Sequence, residues 1–443
     1  MQTILLFVLG VLVLVVGLAV SIALHEVGHL VPAKKFGVKV GQYMIGFGPT
    51  VFSRKKGETE YGVKALPLGG YISMSGMFPP GKAGGGARQS STGFFNTLVQ
   101  DARTASAETI DEGDESRTFY RLPVHKRVII MLGGPFMNLL IAIALFAVLL
   151  CGFGVQQAST TVGSVSTCVL PAGSTETSCP ADAAEAPAYA AGMLNGDRIV
   201  SIDGTTVTDG DQITSILQRS PGETLDVVVD RDGTERTLQV TPALSERYVT
   251  TSSGAVATNP DGSSQTQEVG FVGIGFAYEK VREPVTAVLP AVGDNISHVV
   301  GVIVTLPQRL VGVAQAAFGG AERDPNGPVS VVGVGRMAGE IASLDTIPVV
   351  DRISTLVGLL ASLNVALFVF NLVPLMPLDG GHVAGALIEA IRRGFAKLLR
   401  RPDPGPVDTA KAIPVTFAIV ILLGGMTVLL TYADIVNPID IFG

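Results

Sequence analysis

Apolar residues cluster into four stretches, each about as long as the roughly 20 residues that a helix needs to cross a membrane. These stretches are 3–24, 128–151, 353–374 and 413–433. The first carries no charged residue and lacks the basic beginning of a signal peptide, so we predict that it is retained as a helix. The pattern predicts a polytopic α-helical membrane protein with about four transmembrane helices.

A fifth apolar stretch, 297–318, contains Pro307 and Arg309, which leave too short a run to cross. Lys and Arg concentrate in two loops, with fourteen of them in 34–127 and six in 392–411. Four crossings place both loops on one side, the cytoplasmic side by the positive-inside rule, whereas a fifth crossing would separate them. We therefore expect four helices, both termini outside, and the fifth stretch at the membrane interface.

Strand-like patterns occur between the first two helices. In 36–76, the pieces Val38–Phe47 and Tyr61–Leu66 flank a turn, which predicts a β-hairpin. The residues leave open whether this hairpin dips into the membrane or lies on the cytoplasmic surface. The following 80–117 is rich in Gly and Ser and then acidic, which predicts a flexible loop.

The largest hydrophilic block is 156–283, which the topology places outside the cell. Its order of strand, turn, strand, helix and hairpin around Ala191-Gly-Met-Leu-Asn-Gly-Asp, with the helix near Gln212–Gln218, resembles a circularly permuted PDZ domain of α+β class. Such domains bind extended segments at a sheet edge. The Ser/Thr-rich part at 244–270 is predicted to be a loop or insertion before a strand at Val269–Tyr278. Cys168 and Cys179 lie in this block, where disulfides form, and we expect them to pair.

The composition supports the membrane class. Of 443 residues, 47% are hydrophobic and only 16% are charged, with a mean hydropathy of +0.45, whereas soluble domains carry about 25% charged residues. The net charge is −7, and no basic patch with interleaved aromatic residues is present, so we expect no nucleic-acid partner.

The first apolar stretch ends in His25-Glu-Val-Gly-His29. Residues four apart share one face of a helix, which suits two imidazoles to one zinc ion. Glu26 is then placed to deprotonate a water on that ion. The motif by itself does not exclude a chance match. It is also incomplete as a metal site, because a catalytic zinc takes three protein ligands.

The third ligand has to come from elsewhere, since one extended zinc motif needs Gly and His where this chain has Pro32 and Lys35. Asp379 stands out as a lone carboxylate that follows the third apolar stretch and a proline-broken segment. Capping of the next helix is the structural alternative for Asp379. His382 is a rival ligand or a partner of a ligand. Topology brings Asp379 to the same cytoplasmic-side depth as the two histidines.

Six features with specific sequences lie along the chain: His25–His29, Leu68-Gly-Gly-Tyr71, Gly134-Pro-Phe-Met-Asn138, the PDZ-like block, Gly327-Pro-Val-Ser330 and Asn371–Gly381. Through them the chain resembles the site-2 proteases, a family of intramembrane zinc metalloproteases that includes the bacterial regulator of sigma-E protease. It departs from the family in having one PDZ unit where some relatives have two, and in the long loop at 80–117.

The resemblance implies one Zn²⁺ ion in an active site within the membrane, towards its cytoplasmic side, beside a membrane-associated β-hairpin. It implies the following site residues: metal ligands His25, His29 and Asp379, catalytic base Glu26, and substrate-positioning residues Asn371, Pro374 and Asn138.

The function that the resemblance implies is hydrolysis within the transmembrane segments of membrane-anchored proteins, such as anti-sigma factors or signal-peptide remnants. These single-span substrates would already have been cut outside by another protease, and the lipid bilayer is the other partner. The alternative is a catalytically silent, PDZ-bearing membrane scaffold, which would need neither Glu26 nor a third acidic group. A transporter is disfavoured, because four helices without an internal repeat suit that class poorly.

These observations divide the chain into nine segments. In order they are the first transmembrane helix with the HExxH motif (1–35), the membrane-associated β-hairpin region (36–76), a cytoplasmic flexible loop (77–126), the second transmembrane helix (127–152), the extracytoplasmic PDZ domain (156–283), an interfacial or amphipathic linker (284–352), the third transmembrane helix with the Leu-Asp-Gly motif (353–388), a cytoplasmic basic loop (389–412) and the fourth transmembrane helix (413–435).

Overall fold

A computed structural model describes the protein at residues 2–79, 94–172, 174, 179–180, 183–249, 256–257, 264–319, 323 and 327–438. The chain divides into two compact units. One combines Met1–Phe153 with Pro284–Gly443, and the other is Gly154–Glu283.

The helices are, in chain order, α1 (Gln2–Lys35), α2 (Phe94–Glu108), α3 (Val124–Ala147), α4 (Pro187–Ala190), α5 (Gly210–Arg219), α6 (Val288–Val304), α7 (Leu306–Phe318), α8 (Val331–Ser343), α9 (Val349–Leu372), α10 (Asp379–Leu398) and α11 (Ile413–Val436). The strands are β1 (Val40–Lys56), β2 (Thr59–Met74), β3 (Val155–Val165), β4 (Arg198–Ile202), β5 (Thr205–Thr206), β6 (Leu225–Arg231), β7 (Thr234–Val240), β8 (Ala243–Tyr248), β9 (Thr266–Phe271) and β10 (Ile274–Val281).

Within the described residues, five helical segments are long and apolar enough to cross a membrane: Gln2–Lys35, Val124–Phe153, Val285–Val304, Val349–Leu372 and Thr409–Val436. Three of them contain the predicted stretches 3–24, 128–151 and 413–433, and Val349–Leu372 covers 353–374 except for its last two residues. Together they support a polytopic membrane protein. The additional candidate includes α6, which lies in the region predicted as an interfacial linker, 284–352. This candidate has 20 residues and is about 30 Å long, as thick as the hydrocarbon core, and its last 17 residues form α6.

Helices α1 and α3 pack backbone to backbone. A side chain added at Gly28 would place its Cβ 2.6 Å from the carbonyl carbon of Gly133, and glycine at both positions is what allows this approach. The contact lies next to the HExxH turn of α1. It therefore brings α3 against the two histidines.

The segment 353–388, assigned to the third transmembrane helix, contains the end of α9, a break and the start of α10, and the break lies at the proline-broken segment predicted before Asp379. The chain leaves helical geometry between α9 and α10, where Pro374 and Pro377 lack the N–H groups that a continuing helix needs. The basic loop predicted at 389–412 begins too early, because α10 continues to Leu398. The buried residues of α10 include Gly381, Gly385 and Glu389, which recur every fourth position and give this helix one inward face.

Strands β1 and β2 form an antiparallel hairpin that contains the predicted segment Tyr61–Leu66 and, from Val40 onward, the predicted segment Val38–Phe47. The hairpin folds back on itself, so that the first part of β1 (40–45) pairs with 60–63 on one side and with 70–74 on the other. The hydroxyl of Tyr43 donates a hydrogen bond of 2.8 Å to the carbonyl oxygen of Ala23, which ties the hairpin to α1.

The flexible loop predicted at 77–126 is wrong where the structure describes it, at 77–79 and 94–126. Its Gly/Ser-rich part, 80–93, lies outside the described residues, but α2 begins directly after it. The acidic part is held by ion pairs to the hairpin region, with Lys39 Nζ 2.6 Å from Asp114 Oδ2 and Arg117 Nη2 2.8 Å from Glu58 Oε2. Paired charges explain why an acidic segment is ordered here.

In the second unit, a six-stranded sheet has the order β10-β3-β4-β6-β7, with β5 paired to β4. The helix predicted near Gln212–Gln218 falls within α5, which packs Ile213 and Leu217 into the unit's core. Cys168 and Cys179 are joined by a disulfide bond.

The insertion predicted at 244–270 is wrong at both ends. Strands β8 and β9 lie there and pair with each other, while 250–255 and 258–263 are outside the described residues. The single strand predicted at Val269–Tyr278 is instead divided between β9 and β10. The division falls next to Gly273, whose φ of +81° interrupts an extended strand.

Candidate metal centre

Three side chains from two helices meet at one point in the first unit. His25 and His29 lie one turn apart on α1, and their Nε2 atoms are 3.2 Å apart. Asp379, the first residue of α10, places Oδ2 3.3 Å from each Nε2 atom. Both histidines are buried, so the three ligand atoms face one another rather than bulk water.

This triangle matches a zinc ion. Bonds of about 2.0–2.2 Å in tetrahedral geometry separate neighbouring ligand atoms by roughly 3.3–3.5 Å. Oδ2 of Asp379 is buried and accepts no hydrogen bond from any residue that the structure describes. Within the same residues, His25, His29 and Asp379 are the group that could hold a metal ion. The donor set and its spacing fit zinc.

Helix α3 supports both imidazoles. Nδ1 of His29 lies 2.7 Å from the carbonyl oxygen of Ile130, to which it donates a hydrogen bond, and this leaves Nε2 of a neutral ring with its lone pair. Nδ1 of His25 lies 3.1 Å from the side-chain amide of Asn138, which is buried. The helix that touches α1 at Gly28 therefore also orients both rings.

Glu26 lines a cavity of 300 Å³ together with the three ligand residues. Its Cγ atom would be 3.0 Å from a Cβ added at Gly70 of β2, so glycine there lets the hairpin approach α1. Tyr71 and Ile72 of the same strand line the cavity as well. The cavity is therefore bounded by the HExxH turn on one side and by a β-strand on the other.

The remaining predicted residues separate into two groups. Asn371 and His382 line the cavity, and the His382 ring lies 6.5 Å from the ring of Phe119, outside the ligand group. Pro374 is exposed and does not line the cavity, and the buried amide of Asn138 faces His25 instead.

Sequence reasoning missed an ion pair that joins α3 to α10. Nη2 of Arg127 lies 2.5 Å from Oε1 of Glu389, and both side chains are buried. This pair links the helix that orients the histidines to the helix that begins with Asp379. The signal in the sequence was Glu389 itself, an acid on the otherwise apolar face of an amphipathic helix.

Apolar helices that enclose two imidazoles and a carboxylate around a metal-sized gap, with a further carboxylate in the adjoining cavity, define a membrane-embedded metallohydrolase. A model described as Peptidase family M50 matches residues 13–399. The chain belongs to this family. The expectation that the protein is a peptidase is confirmed.

Curated relatives match over nearly the whole chain. The zinc metalloprotease Rip1 of Mycobacterium tuberculosis is 32% identical over 98% of this chain and 99% of the relative. Rip1 of Mycolicibacterium smegmatis is 31% identical over the same shares, 98% and 99%. The metalloprotease MmpA of Caulobacter vibrioides is 29% identical over 87% of this chain and 88% of that relative.

Proposed function

We propose that the protein is an intramembrane zinc metalloendopeptidase in which His25, His29 and Asp379 hold the zinc ion and Glu26 is the catalytic base. The observation that carries the proposal is the triangle of ligand atoms with sides of 3.2 and 3.3 Å next to a cavity that Glu26 lines. The relatives named zinc metalloprotease support zinc as the metal.

A zinc ion at this site supplies electrophilic activation of the scissile carbonyl and lowers the pKa of water to about 7. Glu26 accepts the proton of the attacking water and passes it to the leaving amine. Burial of the site keeps competing bulk water away from these charged groups.

Asn138 acts on His25 rather than on the substrate. The Oδ1 atom of Asn138 is buried and has no hydrogen-bond partner among the described residues. A half-turn of the amide lets this oxygen accept a hydrogen bond from Nδ1 of His25, which leaves the lone pair on Nε2 for the metal. Both imidazoles are then held in the same tautomer by α3.

The substrates are transmembrane segments of single-span proteins that another protease has already shortened. A membrane helix hides its amides in hydrogen bonds, so the scissile region must become extended. The segment 70–74 of β2 pairs with β1 on one side and contributes Gly70, Tyr71, Ile72 and Met74 to the cavity lining. It can hold the extended substrate by strand addition. Asn371, whose Nδ2 donates a 2.9 Å hydrogen bond to the Leu367 carbonyl oxygen, also lines the cavity.

The topology has four crossings, with the active site towards the cytoplasmic side and α6 packed against the bundle without crossing. The distribution of basic residues supports this arrangement, because a fifth crossing would place the two basic loops on opposite sides. Residues 156–283 form an extracytoplasmic PDZ domain, whose edge strand β10 offers backbone groups to a partner segment.

The test compares Glu26→Gln with the matched variant Glu340→Gln, which changes a glutamate on α8 that is paired with Arg336. Glu26→Gln should retain bound zinc and lower the cleavage of a transmembrane reporter at least about a hundredfold, the usual size of general acid–base catalysis. Glu340→Gln should retain both properties. Undiminished cleavage by Glu26→Gln would overturn the assignment of Glu26 as the catalytic base, and a lack of cleavage by the unchanged protein would support the scaffold alternative.

A further inference from the structure

A second cavity, of 480 Å³, lies between α1, α8 and α9. Its lining is apolar, for example at Leu6, Leu14 and Val357, except for Gln2 and Arg352. These two polar residues lie near the amino-terminal ends of α1 and α9. The cavity is thus polar at one end and apolar along its length.

The cavity does not continue to the metal centre. Beyond its inner end, a Cβ at Gly17 would be 2.9 Å from the Leu360 side chain, so α1 and α9 touch there. One turn further along α1, Nδ2 of Asn364 donates a 3.0 Å hydrogen bond to Oγ of Ser21. Both partners are buried, and they close α1 against α9 before His25 is reached.

The depth of the cavity matches one leaflet of a bilayer. From Gln2 to Leu14 the lining extends about 18 Å along α1, and from Arg352 to Leu360 about 12 Å along α9. Half of the hydrocarbon core is about 15 Å. A chain anchored at the polar end would therefore reach close to the midplane.

Arg352 supplies a positive charge at the end where lipid headgroups lie. Its Nε donates a 3.0 Å hydrogen bond to the Ile347 carbonyl oxygen, and Nη1 donates one of 3.2 Å to that of Ala342. In the part of the chain that the structure describes, no carboxylate forms an ion pair with Arg352. The guanidinium keeps further N–H groups in a geometry that suits a phosphate.

We propose that this cavity binds one phospholipid of the leaflet at the amino-terminal end of α1, with an acyl chain between α1 and α9 and its phosphate on Arg352. In the four-crossing topology this is the outer leaflet. The site is independent of the metal centre and of the peptidase function.

The volume favours an acyl chain over a substrate helix. A helix about 10 Å across that filled even the 12 Å depth along α9 would occupy roughly 900 Å³, about twice the volume of the cavity. The closure at Ser21 and Asn364 would also keep a helix bound here away from His25. An acyl chain is a single row of methylene groups, so it fits the cavity volume and does not need to pass the closure at Ser21 and Asn364.

The test uses the full-length protein in nanodiscs with a phosphatidylglycerol probe that carries a photoreactive group on one acyl chain. We expect cross-links at 2–14 and 349–360, mapped by mass spectrometry of the labelled peptides. Val357→Phe, which fills the cavity, should lower this labelling severalfold. Arg352→Gln should lower it as well, whereas Arg352→Lys should restore most of it. A diacylglycerol probe of the same chain length, which lacks the phosphate, should label weakly.

The matched control is Val428→Phe, which adds the same bulk at an exposed position of α11 and should leave the labelling unchanged. Equal labelling of α11 and of the cavity, or labelling that ignores Val357→Phe, would overturn the proposal. So would cross-linking of a photoreactive transmembrane substrate peptide to the same residues, since the cavity would then be a substrate site. Zinc content, measured in every variant, shows whether the fold is intact.

Discussion

The buried ion pair between Arg127 and Glu389 yields a quantitative prediction. Oε1 of Glu389 is 2.5 Å from Arg127 Nη2 and 3.1 Å from Arg393 Nη2, and Oε2 accepts a 3.0 Å hydrogen bond from the backbone N–H of Val407. Only 1% of the Glu389 side chain is exposed. This one carboxylate therefore neutralises two guanidinium groups and binds α10 to α3.

Glu389→Gln keeps an oxygen for Val407 but removes the negative charge. Breaking a buried pair costs about 3–5 kcal/mol, because the remaining charge is left without compensation. Arg393 keeps its contact with Asp403, with Nε 3.4 Å from Oδ1, so Arg127 is the buried cation that loses its partner and we expect a cost within that range. Because α10 begins with Asp379 and α3 orients both histidines, the bound zinc should also be released more readily.

The assay measures the unfolding of purified full-length protein and the transfer of its zinc to a chelator. The double variant Arg127→Met with Glu389→Leu replaces the pair by apolar groups of similar size and should regain most of the lost stability, since such replacements are often neutral. An unfolding midpoint for Glu389→Gln equal to that of the unchanged protein would refute the reasoning. So would a double variant less stable than the single one.

Three other predictions follow from the same contacts. Asn138→Leu should weaken zinc binding about 10–100-fold, measured by competition with a chelator, because it removes the partner that orients His25. Gly134→Ala should abolish zinc binding, because its Cβ would lie 2.7 Å from Nε2 of His25 and even closer to the other imidazole. In the second unit, the hydrogen bond from Arg231 holds the pKa of the Asp197 carboxyl below its usual value. A lowered pKa stabilises the fold above the unfolded value of about 3.9, so Asp197→Asn should lower the unfolding temperature at pH 7 by an amount that shrinks as the pH falls below about 4.

For each of these three predictions, one result would contradict the reasoning. Zinc affinity unchanged in Asn138→Leu would mean that the amide does not set the tautomer of His25. Gly424→Ala on α11 is the control for Gly134→Ala, since a Cβ there meets no atom within 4 Å and should leave zinc bound. A destabilisation by Asp197→Asn that is equally large at pH 7 and at pH 3 would show that the charge of the carboxylate is not its cause.

The errors made from the sequence share one physical cause. The sequence predicts a flexible loop at α2 because a Gly/Ser-rich run precedes it and acidic residues follow it, yet Arg103 of α2 pairs with Asp408 and the acids pair with Lys39 and Arg117. The sequence predicts an insertion at β8 and β9 because their residues are polar, yet the two strands pair with each other. In both places the residues that stabilise the segment lie many positions away in the sequence, so the local pattern of residues does not reveal them.

Local features were predictable because they depend on neighbours in the chain. The apolar stretches predict membrane helices, since length and hydropathy alone decide whether a helix can cross. The spacing of His25 and His29 predicts two imidazoles on one face, because a helical turn has 3.6 residues. Proline at 374 and 377 predicts the end of α9 for a similarly local reason.

What the tertiary structure alone decided is how distant residues meet. Asp379 is 350 positions from His29 in the sequence, and its Oδ2 comes to 3.3 Å from the His29 ring only because α1, α3 and α10 pack together. The pairing of Asn138 with His25, the pair of Arg127 with Glu389 and the cavity between α1 and α9 arise in the same way. Periodicity specifies which face of a helix is apolar, but the partner of that face is chosen by shape and close packing over the whole unit.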